Sequence, residues 1–263
     1  MMKKVRKNIS ISSWHHWKAK DYLNEFYLQV VPDEREAIKF QVDFFKSRSL
    51  KKLMLEFGCG PTVHRAIAAA PYVSEIHMGD YLEQNLEEVT NWLKLKKGSH
   101  NWNHYTRYIL ECEGIRKPSL DKIHERENMA RKKITKLFQT DATYKDPLGE
   151  KYREHYPFVL SGFCADSATD DRKIWATFMR NIASLITPNG YFFTAALMNA
   201  TYYKTGSNYF PSANIGKADL LRILKLDFLP ESITIEERDL PEHEHQGYKG
   251  VLLAYAIKKH EIN

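Results

Sequence analysis

The stretch Leu53-Met54-Leu55-Glu56-Phe57-Gly58-Cys59-Gly60-Pro61-Thr62 constrains this chain more than any other. An apolar run ends in an acid, Gly-x-Gly follows, and helix-compatible sequence comes next. That is the pattern of a buried strand turning sharply into a helix. Glycines serve where a backbone must turn tightly and a ligand must approach it closely. The third glycine of a dinucleotide-binding Gly-x-Gly-x-x-Gly is missing, because Val63 stands there. A pyrophosphate would want that closer approach to a helix start. An acid directly before the glycines suits a ligand that ends in an ammonium.

Two later segments repeat the theme. Glu75-Ile76-His77-Met78-Gly79-Asp80-Tyr81 reads as a second strand tipped by an acid, and Leu137-Phe138-Gln139-Thr140-Asp141-Ala142 as a third. A carboxylate at the tip of the second strand can accept hydrogen bonds from both hydroxyls of a ribose. Asp141 is placed to take an adenine amino group. Three strands, each with a carboxylate near its carboxyl end, describe a nucleoside pocket. With Glu56 facing an amino-acid end, the ligand expected is S-adenosylmethionine, with S-adenosylhomocysteine as its product.

The remaining pattern alternates between strand and helix. Helices are expected over 33–48, 62–70, 83–95, 119–135, 170–187 and 217–227, with a short one near 105–111. Strands are expected over 52–57, 75–80, 136–141, 158–161, 191–197, 232–238 and 250–258, with a turn at Pro188-Asn189-Gly190. Five β/α alternations and two adjacent final strands imply an α/β fold. Its seven-stranded, mostly parallel sheet has the order 3-2-1-4-5-7-6, with helices on both faces. The 263 residues suit one domain: a helical extension or lid over 1–48 and a Rossmann-like core over 49–263. Residues 12–30 hold Trp14, Trp17, Tyr22, Phe26 and Tyr27. They suit either a helix packed on the core or a lid over a substrate.

Charge and cysteines bound the partners. The net charge is +6, but the cations are scattered, and the densest group, Arg126 to Lys136, is interrupted by Glu127 and apolar residues. Nucleic acid is therefore not the expected partner. Cys59, Cys112 and Cys164 lack metal-ligand spacing, and their odd number argues against a disulfide framework. No apolar run reaches the ~18 residues of a membrane span, and no secretory h-region follows the basic start. A cytoplasmic protein, monomeric or weakly dimeric, is expected. Glu242-His243-Glu244-His245 reads as a solvated loop rather than a metal site. Asp166, Asp170 and Asp171 follow strand four; Asp166 is a candidate substrate contact and Asp170 a helix N-cap.

Several motifs occur together in one order: Asp21-Tyr22-Leu23-x-x-Phe26-Tyr27, Gly58-x-Gly60-Pro61-Thr62, Asp80-Tyr81-x-x-Gln84-Asn85-Leu86, Trp92-Leu93 and Pro188-x-Gly190. From about residue 20 to 258 the chain resembles the nicotinamide, phenylethanolamine and indolethylamine N-methyltransferases, a class I methyltransferase family. The resemblance implies cofactor contacts from Tyr22, Tyr27, Gly58, Gly60, Thr62, Asp80, Asn85, Asp141 and the backbone of Ala142. Glu56 and Tyr81 complete the set, and Tyr22 is expected between cofactor and acceptor. Candidate acceptor contacts are Phe163, Asp166, Ala195, Asn199 and Tyr203. Two positions depart from the pattern. His64 stands where the family has an aromatic, and Ala195 lies in the stretch where the nicotinamide enzyme carries an acid. The expected activity is methyl transfer to a small-molecule amine or ring nitrogen. A methyltransferase of RNA or protein is the alternative, although no Asn/Asp-Pro-Pro-Tyr motif follows strand four. A non-catalytic protein that binds the cofactor is another.

Overall fold

β1 (Leu53–Phe57) is buried almost throughout, as a strand in the middle of a parallel sheet must be. The structure, a computed structural model, describes residues 11–48, 50–241 and 247–260. A short 3₁₀ turn (Trp14–His16), α1 (Ala19–Phe26) and α2 (Pro32–Lys46) precede β1. α3 (His64–Ala69), β2 (Glu75–Asp80), α4 (Glu83–Leu93), α5 (Asn103–Cys112) and α6 (Leu120–Lys133) lead to β3 (Ile134–Gln139). β4 (Tyr156–Gly162), α7 (Arg172–Ala183) and β5 (Ile186–Met198) continue the alternation. β6 (Tyr202–Thr205) and β7 (Asn208–Pro211) come before α8 (Lys217–Asp227), β8 (Thr234–Asp239) and β9 (Gly250–Ile257).

The main sheet has the order β3-β2-β1-β4-β5-β9-β8, with β9 antiparallel to both neighbours. Counted among its own seven strands this is the expected 3-2-1-4-5-7-6. The strand numbers differ because β6 and β7 pair only with each other, in a hairpin where the sequence pattern predicts no strand. Successive residues serve opposite faces. Met54, Ile76, Met78 and Phe158 pack with α2, α3, α5 and α6. Leu55, Phe57, Val159 and Phe192 pack with α7 and α8.

Some boundaries moved. β3 ends at Gln139, so Asp141 sits in the turn beyond it. The expected turn at Pro188-Asn189-Gly190 lies inside β5, where Asn189 has φ +60° and the register against β4 shifts between Tyr156 and Phe158. α7 is capped by Asp171, not Asp170; Asp171 accepts from the amides of Lys173 and Ile174. The N-terminal extension divides. α2 belongs to the core, with Ile38, Val42 and Phe45 at most 1% exposed, while α1 and the preceding turn lie beyond the carboxyl ends of the strands. Pro32 opens α2, and Asp33 and Glu34 occupy its first turn, where acids suit the helix dipole.

Candidate functional site

β1 pairs with β2 on one side and with β4 on the other, so the connections leave it in opposite directions. In open α/β sheets ligands bind at that switch point, outside the carboxyl ends of the strands. A cavity of about 320 Å³ opens there. Its floor is the turn after β1. Gly58 and Gly60 have φ of +71° and +59°, and a Cβ on Gly58 would stand 2.1 Å from Cys164 Sγ. The amides of Gly58 and Cys59 both donate to Gly79 O, at 2.8 and 3.0 Å, and the Thr62 hydroxyl closes the turn on Cys59 O at 2.8 Å.

Asp80, at the tip of β2, braces this turn. Its Oδ2 accepts from the Gly60 amide at 2.7 Å, and its Oδ1 from the Leu82 amide at 2.9 Å and Asn85 Nδ2 at 2.8 Å. Burial raises its pKa, and these donors act against that. Asn85 Oδ1 in turn accepts from Trp17 Nε1 at 2.9 Å, and Gln84 Nε2 donates to Trp17 O at 3.0 Å, so the aromatic N-terminal segment is tied to α4. The β6–β7 hairpin holds it from the other side. Trp14 and Trp17 pack on Phe210, with ring centroids 4.9 and 5.1 Å away, and the Gly206 amide donates to Glu25 Oε2.

A buried polar network forms another part of the wall. The Tyr22 and Tyr27 hydroxyls are 3.3 Å apart, and Tyr27 donates to Glu34 Oε1 at 2.8 Å. Arg65 Nη2 donates to the same oxygen at 2.7 Å, and His64 Nε2 lies 3.1 Å from Glu34 Oε2. Burial alone would raise the pKa of Glu34, but Arg65 and His64 outweigh it and hold it near about 2. Burial lowers that of His64 to about 4, so its ring is neutral at pH 7 and its Nε2–H donates to Glu34. Burial pushes the Tyr22 phenol well above its ordinary range. It does the same to the Cys164 thiol, up to about 12, which removes that cysteine as a nucleophile at neutral pH.

The cavity gathers Tyr22, Tyr27, Gly58, Gly60, Thr62, Asp80, Tyr81, Asn85, Asp141, Ala142, Phe163 and Tyr203, as the sequence led one to expect. Four expected residues are not on its wall. Glu56 shares the core face of Met54 and is enclosed; its two oxygens have no hydrogen-bond partner among the described residues, and burial raises its pKa to about 8. Asp166 turns inward, where Oδ2 accepts from the Leu197 amide at 2.8 Å. Ala195 is 1% exposed within the sheet and gives its carbonyl to the Phe163 amide, so its neighbour Leu197 meets the cavity instead. Asn199 is exposed at φ +56°, where its amide bonds Ile215 O. Sequence reasoning missed Asp33, Glu34, Arg65 and Tyr248, all on the wall. The first two fall at the start of the helix expected over 33–48, and the last two carry no local pattern. Glu242-His243-Glu244-His245 lies outside the described residues, and among the described residues no three His, Cys, Asp or Glu side chains cluster to hold a metal.

A turn of two glycines at positive φ, a carboxylate beside it and an enclosed acid beneath fit an adenosyl ligand with an amino-acid end. Solved structures with this fold include a SAM-dependent methyltransferase from Methanosarcina mazei (TM-score 0.57, 11% identity, 89% of this chain and 100% of that one). They also include the N-methyltransferase NodS from Bradyrhizobium japonicum in complex with S-adenosyl-L-homocysteine (TM-score 0.55, 13% identity, 89% and 92%). The fold is that of the S-adenosylmethionine-dependent methyltransferases. In sequence the chain is 28% identical to human nicotinamide N-methyltransferase over 212 residues, 77% of this chain and 78% of that enzyme. It is 27% identical to mouse indolethylamine N-methyltransferase over 75% and 76%, and 24% identical to phenylethanolamine N-methyltransferase of Macaca mulatta over 79% and 73%. Residues 8–259 match the model of the NNMT/PNMT/TEMT family, and the chain belongs to that family. It is an S-adenosylmethionine-dependent methyltransferase. Among the described residues no helix is long and apolar enough to cross a membrane.

Proposed function

We propose that the chain moves a methyl group from S-adenosylmethionine to a nitrogen of a small amine or ring compound. The observation that carries this is one cavity with two unlike regions. One holds Asp80, the glycine turn, Asp141 and Ala142; the other holds Tyr22, Tyr27, Phe163, Leu197 and Tyr203. In this reading Asp80 takes a ribose hydroxyl, the turn receives the amino-acid end, and Asp141 and Ala142 take the adenine. Tyr81 and Asn85 flank the ribose. The aromatic region receives the acceptor. That the relatives act on nicotinamide and on amines supports nitrogen as the accepting atom. Ala195, enclosed in the sheet, offers nothing to an amide substrate, which supports an acceptor other than nicotinamide.

When bound, the cofactor supplies an electrophilic methyl carbon on a sulfonium. The residues do the rest by holding both reactants in line, which can be worth ~7–11 kcal/mol in favourable cases. Aromatic faces beside a sulfonium add ~0.5–2 kcal/mol each. The Tyr22 phenol keeps its proton, so it positions the acceptor rather than deprotonating it. Residues 12–30, with Trp14, Trp17, Tyr22 and Phe26, act as a lid over the bound cofactor that excludes water. One chain supplies the whole wall, which supports function as a monomer or weak dimer. The free Cys59, Cys112 and Cys164 support a reducing compartment such as the cytoplasm. Calorimetry with the cofactor, followed by a methyl-transfer screen over amines, N-heterocycles and thiols, tests the proposal. Failure to bind the cofactor sinks it, and transfer confined to thiols sinks its choice of atom.

A further inference from the structure

Asp33 stands apart from the other acids around the cavity. Glu34 receives Tyr27, Arg65 and His64. Asp80 receives three donors. Asp141 receives the amide and hydroxyl of Thr143 and reaches solvent. Asp33 is 8% exposed and lies on the cavity wall. Its Oδ2 accepts from the Tyr248 hydroxyl at 3.1 Å, and its Oδ1 has no hydrogen-bond partner among the described residues. Nor, among the described residues, does it have a cation of its own, since Arg65 is committed to Glu34. A buried carboxylate left so is costly unless something else completes it.

We infer that Asp33 anchors a protonated amine acceptor in this cavity and takes its proton before methyl transfer. The inference rests on the proposed function and narrows its acceptor to amines that arrive as cations. An ammonium supplies both the charge and the donors that the carboxylate lacks. The groups that face Asp33 favour such a guest. They are Glu34 on α2, Tyr22 on α1, Tyr105 on α5 and Tyr248 before β9. One is an anion already balanced by Arg65, and three are phenols kept neutral by burial, with rings that attract cations. Burial raises the pKa of Asp33 to about 7, the charge on Glu34 adds to this, and the amides of the helix start and Tyr248 oppose it only in part. The group is therefore poised to exchange a proton near neutrality. One N–H proton of the ammonium passes to the carboxylate, leaving a neutral amine and a neutral acid. The freed lone pair forms the N–C bond to the methyl carbon as the C–S bond breaks and its electron pair stays on sulfur. The positive charge moves from sulfur to nitrogen, and the proton on Asp33 leaves to solvent with the product.

The test compares 2-phenylethylamine, a cation, with 2-phenylethanol, its neutral analogue, by calorimetry on the full chain. We expect the wild-type protein to prefer the ammonium by on the order of 30-fold, and Asp33→Asn to reduce the preference to about threefold or less. Buffers of different ionisation enthalpy add a readout that a structural role would not move. At pH 7 a group with a pKa of about 7 is half protonated, so binding the cation should release about half a proton. Asp33→Asn should release none. Tyr248→Phe removes a donor from the carboxylate and should move the onset of the ammonium preference to higher pH. Equal binding of the two probes by wild type, binding of neither, or a preference that survives Asp33→Asn overturns the inference. If Asp33→Asn does not fold, an unmoved onset in Tyr248→Phe does the same. Titrations run with and without S-adenosylhomocysteine separate the two readings. Failure to bind that product counts against the proposed function, while the amine–alcohol comparison still decides the role of Asp33.

Discussion

Replacing Asp80 with asparagine keeps the side chain's size and turns one acceptor into a donor. The wild-type carboxylate receives the Gly60 amide on Oδ2 and the Leu82 amide and Asn85 Nδ2 on Oδ1. The carboxamide oxygen can keep the two donors on the Oδ1 side. Its NH₂ then faces the Gly60 N–H, and that buried amide loses its partner at a cost of about 1–3 kcal/mol. For a chain of this length the expected fall in Tm is about 2–10 °C. The ligand loses more. A carboxylate that has already accepted three donors has room for about one more without rearrangement. Loss of a charge-assisted bond worth about 1.5–3 kcal/mol should raise the Kd for S-adenosylmethionine about 10- to 150-fold. Calorimetry reads the affinity, and a thermal melt without ligand reads the brace. A folded variant with a Kd within twofold of wild type refutes the placing of Asp80 at the ribose. An unchanged melt refutes its bracing of the Gly60 turn.

Three further substitutions probe the rest of the site. Gly58→Ala sets a Cβ 2.1 Å from Cys164 Sγ and 2.5 Å from Cys164 Cβ at φ +71° and should lower Tm and cofactor affinity together; Gly58→Ala combined with Cys164→Gly, which removes both clashing atoms, should recover only the part due to the clash, and full recovery would mean that the backbone conformation does not matter. Glu56→Gln should become more stable relative to wild type as pH rises. A carboxylate whose folded pKa is raised to about 8 contributes fully below its unfolded value near 4.5 and loses that contribution as pH rises through 8; urea unfolding at pH 5 and pH 8.5 checks the sign, and an unchanged difference between the two pH values refutes it. Trp17→Phe removes the indole donor to Asn85 and should weaken cofactor binding several-fold while leaving the sheet folded. Hydrogen exchange should then show less cofactor-dependent protection over 12–30 than in wild type, and equal protection with and without cofactor in both proteins would make that segment a brace rather than a lid.

Much of the architecture is local in origin, and that part is legible in the chain. The period-2 and period-3.6 patterns place the strands and most helices, and the run from Leu53 to Thr62 places the glycine turn, because tight turns of positive φ draw glycine wherever they occur. Asp80 is legible for the same reason: the end of a strand is set by neighbours in sequence. Three kinds of feature were not. The β6–β7 hairpin packs mainly against the aromatic N-terminus, so its four-residue strands carry little pattern of their own. Glu56, Asp166 and Asn199 sit close in sequence to the cavity, but strand alternation, an inward turn and a positive φ point them elsewhere; Ala195 shares the face of Leu197, but it is enclosed within the sheet, and Leu197 meets the cavity instead. The acids at the start of α2 are the reverse case. Asp33 and Glu34 satisfy every local rule for a helix start, and the chain by itself gives no reason to read them otherwise. Only the packing of α2 against α3, and of Tyr248 against the start of α2, brings Arg65, His64 and Tyr248 to them. It balances one carboxylate and leaves the other half-answered, because side chains far apart in sequence meet only once the sheet has ordered the helices around it.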